Sequence, residues 1–149
     1  MLRLWRISAY PGLAGIGGYR SDGRWHTVGR PVLYAGEHPA LAMVETMAHM
    51  RLSLTNIPTT LHLIAIDVKA GAVVSAPPAL PSGWQANEPT SQAVGNAWLA
   101  SMAGLLLPVP SALLAHATNY LINPAHAQAA SHLHEALVEP FWFDKRYLR

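Results

Sequence analysis

The chain of 149 residues contains no cysteine. That excludes disulfides, thiolate metal centres and a cysteine nucleophile, and it fits a reducing compartment. Charge is scarce too: charged residues make up 12% of the chain against 51% hydrophobic, and the formal net charge is +2. With so little charge to keep a surface wet, an apolar face is available for a partner. Arg3, Arg6, Arg20, Arg24, Arg30 and Arg51 are dispersed, and only Lys145, Arg146 and Arg149 group together. Nucleic-acid binders usually cluster such residues, so no direct nucleic-acid contact is expected. Apolar stretches are broken by Pro, Asn or His before membrane-spanning length, and MLRLWRISAY lacks a signal-peptide core. The expectation is a cytoplasmic protein without membrane contact. P-loop, G-x-G-x-x-G, G-x-S-x-G and H-E-x-x-H motifs are all missing, which argues against Rossmann-type dinucleotide binding, a nucleophile elbow and a zincin site. His132 and His134 could chelate from a strand, but no third ligand is suggested and no metal is expected.

What is present reads as strands with about two helices inserted. Residues 2–7 alternate, with Leu2, Leu4 and Arg6 on one side and Arg3, Trp5 and Ile7 on the other, which predicts a short strand. A glycine-rich segment follows from Gly12 to Gly29, and PVLYA at 31–35 reads as a second strand with Pro at its start. A helix is predicted over 39–52, with Pro39 in the first position, Glu37 favouring the macrodipole, and Leu41, Val44, Ala48 and Leu52 on one apolar face. TLHLIAIDV at 60–68 is a strand. Residues 71–89 are a Pro/Gly/Ser-rich loop. A short helix is predicted over 91–102, capped by Thr90 or Ser91. Residues 105–110 form another strand, Asn123-Pro124 marks a turn, and 133–143 make a last strand or strand pair, edge-like because of Pro140. The fold class is α+β, as a compact single domain.

Three residues stand out chemically. Arg24, between Gly23 and Gly29, carries a planar fork of donors suited to phosphate or ribose oxygens, although an exposed hairpin arginine would look the same. Trp25 beside it could stack or simply pack. Tyr34, inside a strand, is ordinarily core or rim packing; its functional alternative is a platform for a flat heterocycle. Glu45 borders an apolar helix face, where an unpaired carboxylate is costly. It is either a buried ion pair with one of the arginines or a charge that stabilises a cationic transition state. Ser111 is a cap or a ligand contact, and Asn119, Asn123 and His126 are polar groups in an apolar stretch.

Taken in order, GRW at 23–25, GRPVLY at 29–34, ALAMVE at 40–45, SQAVGNAWL at 91–99, VPS at 109–111 and NYLINPAH at 119–126 resemble the RES-domain family of bacterial toxins. The likeness runs from about Arg6 to Phe143, and six motifs in order with fitting gaps are specific where one alone is not. The resemblance implies one RES domain over 1–149, with a split, twisted sheet like that of ADP-ribosyltransferases of the diphtheria-toxin kind. It implies NAD as substrate, with no bound cofactor, and cleavage of the nicotinamide–ribose bond by hydrolysis or phosphorolysis. The alternative within enzymes is transfer of ADP-ribose to a specific protein. Outside that class stand a nucleic-acid-targeting toxin and a non-catalytic binding module. The implied catalytic residues are Glu45, Arg24 and Tyr34, with Arg24, Tyr34, Trp25, Ser111 and Asn119 binding substrate. The implied partner is a helix-turn-helix, Xre-like antitoxin covering the active site, with a homodimer within that complex. Many relatives have Asn after GRW where this chain has His26, and Asp22 has no counterpart that can be assigned; both border the expected pocket.

Overall fold

The computed structural model describes residues 1–148; Arg149, the third member of the C-terminal basic group, lies outside them. Six strands form one antiparallel sheet: β1 (Leu2–Ser8), β2 (Leu33–Gly36), β3 (His62–Val68), β4 (Leu106–Pro110), β5 (Thr118–Ile122) and β6 (Leu133–Pro140). Their order is β4-β5-β2-β1-β3-β6. Three helices complete the α+β architecture: α1 (Pro39–Met50), α2 (Glu88–Ser101) and the short α3 (Ala129–His132). β6 is the edge strand that Pro140 suggested, and it ends there rather than at Phe143.

The middle of the sheet is its weakest seam. β1 and β3 pair along their whole length, from Leu2↔Val68 to Ser8↔His62, whereas β1 and β2 share the single register pair Trp5↔Gly36. The halves β4-β5-β2 and β1-β3-β6 are therefore joined through that one register pair.

Strand alternation sorts the apolar side chains to the two sheet faces. Leu33, Ala35, Leu106 and Ile122 join Leu4, Ile64 and Ile66 in one core, while Leu107, Val109 and Leu121 join Trp25, Trp84, Trp98 and Leu99 of the loop and α2 in the other. Leu4, Ile64 and Ile66 are fully buried, each contributing roughly 1.5–3 kcal/mol relative to exposure.

The helix starts differ from expectation. α1 is capped by His38, whose Nδ1 accepts from the Ala40 amide; Glu37 instead accepts from the Thr118 amide of β5. α1 stops at Met50 with Arg51 in the left-handed region, and Ala48 is exposed, so the buried face is turned toward Leu41 and Ala42. α2 begins at Glu88, three residues before the expected start, because Asn87, not Thr90 or Ser91, supplies the cap. Pro89 fits its first turn, where the missing N–H would be unpaired in any case.

Candidate functional site

A cavity of about 500 Å³ opens at the sheet's seam, within the roughly 300–1,000 Å³ range of small-molecule sites. β1 and β2 form its walls, the glycine-rich connection folds over it, and α1 contributes Ala42, Glu45, Thr46, His49 and Met50. Arg24, Trp25, Tyr34, Glu45 and Asn119, separated along the chain, all border this one space.

Glu45 is not in an ion pair; the salt bridges among the described residues are Arg3–Asp67 and Arg146–Asp144. Its Oε1 accepts from Ser111 Oγ at 2.6 Å and from Asn119 Nδ2 at 2.8 Å. Ser111 Oγ also accepts from the amides of Leu113 and Leu114, both at 3.1 Å. With both lone pairs occupied, its one proton must point at the carboxylate. Ser111 is buried and does not itself border the cavity; it aims Glu45 from behind. Glu45 Oε2 has no hydrogen bond to the described residues and is left for whatever enters the cavity.

Tyr34 is locked as well. Its hydroxyl accepts from the Trp25 amide at 3.1 Å and meets His26 Nδ1 at 2.5 Å. His26 Nε2 lies 3.0 Å from the Ser21 carbonyl, an acceptor only, so Nε2 carries the ring proton and the Tyr34 hydroxyl donates to Nδ1. Burial pushes the Tyr34 hydroxyl above the ordinary tyrosine range and His26 below the ordinary histidine range, the latter opposed by Ser21 and Asp22. Gly23 is required here: a Cβ at this position would run into the Tyr34 hydroxyl and the His26 ring.

Arg24 does more than face the cavity. Its Nη2 donates to the carbonyls of Trp84 (3.0 Å) and Gln85 (2.8 Å), and its guanidinium lies over the Trp84 ring at 5.5 Å. Nη1 has no hydrogen bond to the described residues. Trp25 borders the cavity but is 2% exposed, with its ring tilted against Trp84 in the core. It supports the wall rather than offering a stacking face.

The segment SQAVGN has a role that its spacing could have disclosed, since 91, 92, 95 and 96 share one helix face. Ser91 Oγ donates to the Arg24 carbonyl at 2.6 Å, Gln92 Nε2 donates to the Gly23 carbonyl at 3.0 Å, and Asn96 accepts from the Thr27 amide at 3.0 Å. Gly95 lets the helix approach the Trp25 carbonyl, where any Cβ would collide with backbone. α2 thus grips the backbone on which Arg24, Trp25 and His26 sit. Asn123 and His126 are turn residues: Asn123 Oδ1 accepts from the Ala125 amide and His126 Nδ1 from the Gln128 amide. His132 and His134 belong to no group of three or more potential metal ligands among the described residues.

Comparison with known proteins bears on the family and the fold. The model of the RES domain matches residues 3–144. A protein named Toxin Res from Pseudomonas putida is 45% identical over 96% of this chain and 97% of its own length. The Prs ADP-ribosylating toxin of Sphingobium sp. is 37% identical over 92% of this chain and 87% of its own. The fold is similar to a chain in the crystal structure of the M. tuberculosis MbcT–MbcA toxin–antitoxin complex, with TM-score 0.71 and 21% identity, covering 95% of this chain and 84% of that one. The chain therefore belongs to the RES domain family, as its six ordered motifs implied.

Proposed function

We propose that this RES-domain protein is the toxin of a toxin–antitoxin pair and cleaves the bond between nicotinamide and ribose in NAD, depleting the cell of the dinucleotide. The observation that carries the reading is Glu45, a carboxylate aimed by Ser111 and Asn119 at a cavity it shares with Arg24 and Tyr34. As nicotinamide leaves, the ribose becomes oxocarbenium-like. A carboxylate already fixed in place stabilises that charge without reorganising at the moment of reaction. Tyr34 packs against the nicotinamide and Arg24 holds ribose or phosphate oxygens. Asn119 orients the carboxylate from the cavity wall, Ser111 does so from behind it, and Trp25 supports the wall. NAD is substrate, and no bound cofactor or metal takes part.

The ADP-ribosyltransferase-like fold of the diphtheria-toxin kind and a single catalytic unit over 1–149 belong to the same reading. So do a helix-turn-helix, Xre-like antitoxin covering the cavity, a homodimer within that complex, and action in the cytoplasm. No helix among the described residues is long and apolar enough to cross a membrane. Arg3 and Arg146 are paired with carboxylates, and Arg6 and Arg24 with carbonyls, which supports the absence of a nucleic-acid groove.

The test is nicotinamide release from NAD by purified protein, compared with Glu45→Gln. Release by the wild type and its near-loss in a folded variant support the reading; an inactive wild type overturns it. The second reading, transfer of ADP-ribose to a protein, is favoured by the name of the Sphingobium relative. Labelled NAD incubated with lysate separates the two, because label remains on a protein band only for transfer.

A further inference from the structure

We propose that His26 is a positioning residue that fixes the ring of Tyr34 at the cavity wall, so that Tyr34 acts through its ring and not through its hydroxyl. The inference rests on the NAD-cleaving reading for its effect on turnover, but the geometry behind it is independent of any ligand.

Every hydrogen-bonding capacity that links these two side chains is accounted for. His26 is 3% exposed, and each ring nitrogen has one partner: Nε2 the Ser21 carbonyl, Nδ1 the Tyr34 hydroxyl. The Tyr34 hydroxyl in turn spends its proton on His26 and accepts from the Trp25 amide. A hydroxyl so engaged is a poor proton donor to a substrate, and burial holds its proton more tightly still. What remains available at the cavity is the ring face. His26 and Tyr34 also contact each other as tilted rings, with centroids 5.6 Å apart. The consequence runs from sequence to function: Gly23 leaves the space, the turn from Ser21 to His26 places the imidazole, and the imidazole fixes where the tip of the Tyr34 ring sits. An unsubstituted aromatic ring in an apolar wall could swing about its Cα–Cβ bond; a ring held at its para oxygen keeps its tip in place.

The test uses His26→Phe, His26→Asn, Tyr34→Phe, Tyr34→Ala and the double variant His26→Phe/Tyr34→Phe. Asn places a carbonyl oxygen near the position of Nδ1 and can still accept from the hydroxyl. We expect His26→Phe to raise KM for NAD about tenfold with a smaller change in kcat, the size expected from losing one such hydrogen bond, and His26→Asn to recover most of that loss. Tyr34→Phe should cost about as much as His26→Phe, and the double variant no more than either alone, because both remove the same tether. Tyr34→Ala should cost at least tenfold more than Tyr34→Phe. In parallel, nitrogen-15 NMR of the ligand-free protein should show His26 neutral with the proton on Nε2, and its Nδ1 resonance should move in Tyr34→Phe. Additive losses in the double variant overturn the inference, as does Tyr34→Phe being as damaged as Tyr34→Ala, or an Nδ1–H tautomer. If the wild type leaves NAD intact, the functional reading fails, while the tautomer and its response to Tyr34→Phe still decide whether the tether exists.

Discussion

The hydroxyl of Ser111 donates to Glu45 Oε1 across 66 positions of sequence, at 2.6 Å. Because two backbone amides already fill the serine's lone pairs, removing the hydroxyl would leave Asn119 as the one remaining donor to Oε1 among the described residues and leave those amides unpartnered. Ser111→Ala should lower NAD turnover by about tenfold, the worth of roughly one charge-assisted hydrogen bond, with little change in KM. Glu45→Gln keeps an oxygen for Ser111 and Asn119 but loses the charge. Its turnover should fall by about two to three orders of magnitude while melting temperature stays near the wild-type value. Turnover and melting measured on the same preparations check both. A folded Glu45→Gln protein with wild-type turnover would remove Glu45 from the mechanism.

Arg24 is predicted to show two effects at once. Its Nη2 bridges the carbonyls of Trp84 and Gln85, so Arg24→Ala should both weaken NAD binding and destabilise the fold by about 1–3 kcal/mol. Arg24→Lys should recover part of the stability but less of the affinity, because an ammonium cannot serve the loop and the substrate simultaneously. Denaturation curves and KM values separate the two losses. Full stability in Arg24→Ala would show that the bridge to the loop carries no weight.

Gly95 permits the contact between α2 and the Trp25 backbone. Ala is the better helix former, so on propensity alone Gly95→Ala would stabilise the helix by about 1 kcal/mol. The collision with a carbonyl that cannot move aside should outweigh this, with a net loss of about 1–3 kcal/mol typical of overpacking. Chemical denaturation measures the sign directly, and a stabilised Gly95→Ala would contradict the packing described.

His26 links stability to pH. Burial lowers its folded pKa below the ordinary value of 6.5, against the smaller opposing influences of Ser21 and Asp22. The unfolded chain therefore binds the proton more readily than the folded one, and stability rises with pH in that window. The contribution of neutral His26 should be complete above about pH 6.5 and be lost as pH falls toward the folded value. Melting temperature should drop between near-neutral and mildly acidic pH, and His26→Asn should flatten that part of the profile. An unchanged profile in the variant would assign the acid sensitivity to other groups.

Much of the fold was legible in the sequence because element type is a local property. The alternation over 2–7 and the run at 60–68 encode strands, since side-chain direction in a strand depends only on the backbone beneath it. Glu45 was legible as an anomaly, a carboxylate among apolar neighbours, and the ordered motifs led to the RES family. The helix caps were less legible: Asn87 and Thr90 are both acceptable cap residues, and only the geometry of the chain entering α2 selects Asn87.

What the tertiary structure alone decided is which partners meet. The sequence left Glu45 open to an arginine; strand register brought Ser111 and Asn119 to it instead, from 66 and 74 positions away. Ser111 ends up behind the carboxylate, outside the cavity wall, Trp25 becomes a core residue, and His26 becomes the acceptor for Tyr34. Hydrogen bonds between distant residues depend on the relative placement of two elements. Local periodicity carries no record of that placement, because a one-residue slip in register would present different side chains to the same face.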